Sequence, residues 1–90
     1  MYDVFFTAQF KKDFKRIKRQ GHNTAKLTMA LDTLLRGEAL PESMRDHALS
    51  GDYRGHRECH IAPDWLLIYR IDDNALVLTA TRTGSHAELF

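Results

Sequence analysis

The run WLLIYRI, residues 65 to 71, constrains the fold more than any other stretch of the chain. Apolar side chains occupy both alternating sets of positions, so a strand made from it must be covered on both faces. Such a strand belongs in the middle of a sheet. Its neighbours stand on either side: YRGHRECHI, 53 to 61, is short and mixed, and ALVLTATR, 75 to 82, is rich in Leu, Val and Thr. Pro63-Asp64 and Asp72-Asp73-Asn74 divide the three runs with turn-forming residues. These features predict an antiparallel meander with residues 65 to 71 at its centre.

The cover for that sheet lies upstream. In AQFKKDFKRIKRQ, Phe10, Phe14 and Ile17 recur at helical spacing, and Lys11, Lys12, Lys15, Arg16, Lys18 and Arg19 take the other faces. Thr7 offers an N-cap hydroxyl, and Gly21 stops the helix. Asn23 or Thr24 can cap a second helix, in which Leu27, Ala30, Leu31, Leu34 and Leu35 form the apolar stripe; Gly37 and Pro41 close it. Two amphipathic helices joined by a short loop form an antiparallel hairpin whose stripes need a common partner. Ahead of them, YDVFF reads as a short strand with Tyr2, Val4 and Phe6 on one side. The expected class is therefore α+β, an N-terminal strand and helical hairpin packed on a mainly antiparallel sheet. Ninety residues make this a single domain, 1 to 90.

Composition narrows the function. Apolar residues are 43% and charged residues 28% of the chain, ordinary usage for a folded protein. No apolar run approaches the about 18 residues of a membrane span, and MYDVFFTAQFKK lacks the order of a signal peptide, so a cytoplasmic location and no membrane partner are expected. A net charge of only +1 means that any site for a polyanion is local. Cys59 is the one cysteine, which excludes a disulfide framework and suits a packing role.

Between helices and sheet, EALPESMRDHALSGDY, 38 to 53, has no sustained period, and irregular stretches of this length in small domains are often functional. His22 sits in the loop between helices, whereas His47, His56, His60 and His86 fall in the sheet half. Asp64 follows His60 across the Pro63 turn, so a hairpin brings both to one edge of the sheet. His47 precedes the meander and His86 follows it. Histidines titrating near neutrality suit RNA cleavage by its own 2′-hydroxyl: one group takes the 2′-OH proton, another protonates the departing 5′-oxygen, and cations hold the phosphate. Arg82, Arg57 and Arg54 offer guanidinium forks for that phosphate, and Lys11, Lys12 and Lys15 offer a basic face to a polyanion. No HxH or HExxH spacing supports a metal site, and no cofactor is expected.

The segments RDHALSGDYRGHRECHIAPDWLLIYRI and TRTGSHAELF resemble the YafQ branch of the RelE/ParE superfamily of type II toxins, over residues 45 to 90. The N-terminal half agrees in its strand-helix-helix order. The resemblance implies a RelE-like fold and a metal-independent endoribonuclease that enters the A site of the 70S ribosome and cuts mRNA. It also implies neutralisation by a cognate antitoxin, with the free toxin a monomer. By the same resemblance His47 is the general base and His86 the general acid, with His60 and Asp64 aiding charge and orientation. Arg82 then faces phosphate, and Phe90, the terminal aromatic, stacks on a base. The base assignment stays open between His47 and His60. Tyr53, His56 and Cys59 depart from the family pattern. A reading from a different class remains: relatives in the superfamily poison DNA gyrase without this histidine set.

Overall fold

The computed structural model describes residues 1–90. Strand β1 (Asp3–Phe6) leads into helices α1 (Ala8–Arg19) and α2 (Thr24–Leu35); β2 (His47–Ala48), β3 (Arg57–Ala62), β4 (Trp65–Asp72) and β5 (Val77–Gly84) follow, and a single turn of helix, α3 (His86–Leu89), ends the order. The sheet runs β1-β5-β4-β3-β2. The meander β3-β4-β5 is antiparallel, and β1 adds to β5 in parallel. β4 is central, as its apolar run requires, and Trp65 through Tyr69 are all buried.

The caps form as the side chains dictate. Thr7 accepts from the Phe10 N–H at 2.9 Å, and Asn23 accepts from the Ala25 N–H at 3.1 Å, which settles the second cap on Asn23. The irregular stretch 38 to 53 is built from two 3-10 turns, Glu42–Met44 and Gly51–Tyr53, with β2 between them.

The sheet has two unequal faces. Phe10, Ile17, Leu27, Ala30, Leu31 and Leu34 from the helices meet Cys59, Ile61, Trp65, Leu67, Tyr69, Leu78 and Ala80 in the main core. Leu66 and Ile68 point the other way, where Leu89 of α3 covers them and Leu49 and Tyr53 pack alongside. Burial pushes the Cys59 thiol up to about 12, consistent with packing rather than reactivity.

Two irregularities set the second face. Tyr69 pairs with Ala80 but Ile68 pairs with Arg82, so Thr81 is an extra residue in β5. That bulge turns Arg82 onto the face of Ile68, whereas an unbroken alternation from Leu78 and Ala80 would send it under the helices. A second register shift, between His60 and Ala62, lets β3 turn out of the sheet towards Pro63.

β1 pairs with β5 only as far as Ala80, leaving the rest of the β5 edge open. Helix α1 closes it with side chains. Thr7 donates to the Thr81 carbonyl at 2.7 Å, Arg16 donates to the Thr83 carbonyl at 2.9 Å, and the Asp13 carboxylate accepts the Thr83 N–H at 3.2 Å. Asp13 is fully buried and also accepts from Gln9, Arg16 and Arg82. Burial alone would raise its pKa; the hydrogen bonds from Arg82, Arg16, Gln9 and the Thr83 N–H outweigh that and hold the carboxyl below the ordinary range. A depressed folded-state pKa contributes stability that is whole above the unfolded value, about 3.9, and is lost as pH falls through the folded one. Acid unfolding followed by circular dichroism should therefore be less steep in pH for Asp13→Asn than for the native chain. A native-like slope would show that Asp13 is protonated equally in both states.

Candidate active site

The register assembles the site in rows across the second face. His47 of β2 pairs with Glu58 of β3, Glu58 with Ile68 of β4, and Ile68 with Arg82 of β5. The next row runs from His60 through Leu66 to Gly84, just before His86. Strands stand about 4.8 Å apart, so each row sets its side chains at neighbouring positions along one line. The His47 and His60 rings lie 6.5 Å apart, and those of His60 and His86 lie 5.7 Å apart.

α3 places His86. Ser85 accepts from the Glu88 N–H at 3.2 Å, and Glu88 accepts from the Ser85 N–H at 2.8 Å, a reciprocal capping box around the turn that carries the histidine. Asp64, in the turn between β3 and β4, accepts from the His86 backbone N–H at 3.1 Å and lies 2.9 Å from His86 Nδ1. The His86 ring and backbone bonds hold the Asp64 carboxyl below its ordinary range. A proton fixed on Nδ1 leaves the Nε2 lone pair as the one free on this ring. Asp64 thus partners His86, whereas sequence spacing alone had set it beside His60.

Glu58 is the residue that sequence reasoning missed. Its side chain is 6% exposed, and Oε2 lies 3.1 Å from His47 Nε2 and 3.9 Å from His60 Nε2, while Oε1 is buried without a partner. His47 Nδ1 meets the Arg45 carbonyl at 2.6 Å, so both nitrogens of this ring face acceptors. A neutral ring that donates from Nδ1 to this carbonyl leaves the Nε2 lone pair facing Glu58, able to receive a proton. The signal was present in the pattern: two residues before His60 on a strand means the same face.

Phe90 follows the turn of α3, 63% exposed, its ring 6.4 Å from that of His86 and edge-on to Tyr53 at 5.6 Å. Leu89 is the anchor of this segment. Truncation of Leu89 to alanine should cost about 2–5 kcal/mol, whereas Phe90→Ala should cost under about 1.5 kcal/mol, the worth of an exposed aromatic pair. Chemical denaturation of the two variants separates the roles; equal losses would make Phe90 a core residue.

The cations divide. Arg82 is on the site face with Nε and Nη2 bound to Asp13 at 2.8 and 3.1 Å. The Asp13 bond raises its pKa against the effect of burial, with a smaller contribution from the Tyr53 hydroxyl. Arg57 falls on the helix-bearing face opposite Tyr69, 3.1 Å from Asp46, so strand alternation separates it from His60. Arg54 is exposed after the Gly51–Tyr53 turn. Lys11, Lys12 and Lys15 are exposed on α1, with Lys11 and Lys15 beside Phe6, Phe10 and Phe14 on the helix side of the sheet. The His22 ring lies tilted against Trp65, centroids 4.7 Å apart, and His56 is half-buried near Tyr53. One nitrogen from each of His60 and His86 and one Glu58 oxygen lie within 4.8 Å of one another, a set able to hold a transition metal ion.

Residues 2–90 match the family model described as bacterial toxin of type II toxin-antitoxin system, YafQ. The chain belongs to the YafQ family of type II toxins. The mRNA interferase toxin YafQ of Escherichia coli K12 is 36% identical over 89 residues, 98% of this chain and 95% of that one. A copper-bound mutant toxin from Helicobacter pylori superposes with a TM-score of 0.93 at 38% identity, each chain fully covered. YafQ in the E. coli DinJ-YafQ complex gives 0.91 at 35% identity, over 100% of this chain and 99% of that one. The YafQ structures share the α+β architecture described above.

Proposed function

We propose that this YafQ-family toxin cleaves mRNA during translation, by attack of the 2′-hydroxyl on the adjacent phosphate under histidine acid-base catalysis. The observation that carries the reading is the His86 ring, tethered to Asp64 through Nδ1 at 2.9 Å and set opposite the His47–Glu58 pair across His60. Cleavage needs a base and an acid on opposite sides of one phosphate. The His47–Glu58 pair, with His60 beside it, takes the 2′-OH proton. Nε2 of His86 delivers a proton to the departing 5′-oxygen. Arg82 neutralises charge on the phosphate as the five-coordinate species forms, and Phe90 stacks on a base.

The names of the relatives support the substrate, since the E. coli homologue is an mRNA interferase. The DinJ complex supports neutralisation by a cognate antitoxin. The reaction as drawn is metal-independent because both proton transfers belong to side chains. A metal ion on Glu58, His60 and His86 would occupy the atoms the protons need.

Mapping of RNA 5′ ends in cells after brief induction tests the proposal against His86→Ala. Cuts at defined codon positions in translated frames, lost in the variant, are expected. Growth arrest with intact mRNA, in both wild type and variant, would overturn it.

A further inference from the structure

A fully buried carboxylate on an amphipathic helix needs a reason, because removing its charge from water is costly unless strong partners replace the hydration. Asp13 touches none of the groups that exchange protons with RNA. Its partners, however, lead into the site along two arms. In the first, Nε of Arg82 donates to Oδ2 at 2.8 Å and Nη2 donates to Oδ1 at 3.1 Å. This side-on fork fixes the guanidinium plane. Arg82 stands in the row of His47 and Glu58, and Tyr53, which bears on it, meets the Phe90 ring.

In the second arm, Arg16 Nη1 donates to Asp13 Oδ1 at 2.8 Å and Nη2 donates to the Thr83 carbonyl at 2.9 Å. Arg16 Nε lies 2.9 Å from Glu88 Oε2, a charge contact in which the Nε–H makes no hydrogen bond, and Oε1 of the same carboxylate closes the capping box that begins at Ser85. Gly84 makes this possible. A Cβ there would stand 2.4 Å from Arg16 Nη2 and 2.9 Å from Glu88 Oε1. Two guanidinium groups and two carboxylates therefore join α1 to the strand end carrying Arg82 and to the turn carrying His86.

We propose that Asp13 is a positioning residue for cleavage, holding the Arg82 guanidinium at the phosphate and, through Arg16 and Glu88, the His86 turn at the leaving oxygen. This assignment rests on the mRNA-cleavage reading above. A positioned cation and acid accelerate the step only while held close to the productive geometry, so the loss falls on the rate at saturation rather than on binding.

The test uses the whole toxin, freed of antitoxin, acting on mRNA programmed into ribosomes. Asp13→Asn should lower the saturating rate by about tenfold to a hundredfold with the half-saturating concentration unchanged. In an Arg82→Gln background the same change should cost less than in the native chain, since only the Arg16 arm is left to lose, and with Arg82 in place its Nε–H resonance should move in Asp13→Asn. An unchanged rate, or losses that simply multiply, overturns the positioning role. If Asp13→Asn does not fold, Arg16→Gln severs the second arm alone and must lower the saturating rate; a native rate overturns the role. His86→Ala separates the two readings. Native cleavage by His86→Ala, with the Arg82 resonance displaced in Asp13→Asn, refutes the acid-base reading and leaves the orientation of Arg82 by Asp13 standing. An inactive His86→Ala beside an Asp13→Asn toxin of native rate and native resonance refutes the positioning role alone.

Discussion

Alanine at His86 is expected to slow mRNA cleavage by about 10²–10⁴-fold, the range for losing a positioned general acid, while antitoxin binding and the fold persist. The structural half of the expectation follows from exposure. The His86 side chain is 53% exposed, and its ring bonds only to Asp64, itself 69% exposed. The α3 turn is held by Leu89, the Ser85–Glu88 capping box and Arg16, none of which needs the imidazole. The catalytic half follows from Nε2, the one nitrogen of that ring without a protein partner. Cleavage rate and thermal unfolding on the same preparations check both halves. A variant that unfolds with its activity would make His86 a structural residue, and one that keeps its rate would refute the acid-base reading.

How much of this was legible depends on periodicity. The apolar run of β4, the two helical stripes and the Thr7 and Asn23 caps are local signals, and each forms the element its pattern implies. The convergence of His47, His60 and His86 is not local. It follows from register, which turns and bulges determine, and the extra residue at Thr81 that turns Arg82 to the site has no mark in the sequence. Asp13 did leave one. It stands three residues after Phe10 and four before Ile17, inside the apolar stripe, so a carboxylate there must be buried. Read as part of a basic outer face, α1 gave no hint that Arg16 turns inward to meet it. Arg57 shows the converse: a fitting residue type, placed by strand alternation on the wrong side of the sheet.

Glu58→Gln should move activity and stability in opposite directions. The native carboxylate is buried with Oε2 near His47 and His60 and Oε1 without any partner, a poor arrangement for an ion. A neutral amide of the same shape loses less on burial, so the melting temperature should hold or rise. The proposed proton transfer needs the charge. A proton moving from the 2′-hydroxyl onto the His47–Glu58 pair leaves positive charge on an imidazole, which a carboxylate offsets and an amide does not. The rate should therefore fall by about 10²-fold or more, with substrate affinity little changed because Glu58 is too buried to meet RNA directly. Cleavage kinetics and thermal melts on one variant decide the point. Full activity would leave the unpartnered oxygen without a catalytic purpose and return the base to an imidazole acting alone. Reduced activity with raised stability would mark Glu58 as a site where the fold accepts a badly solvated charge for the sake of the reaction.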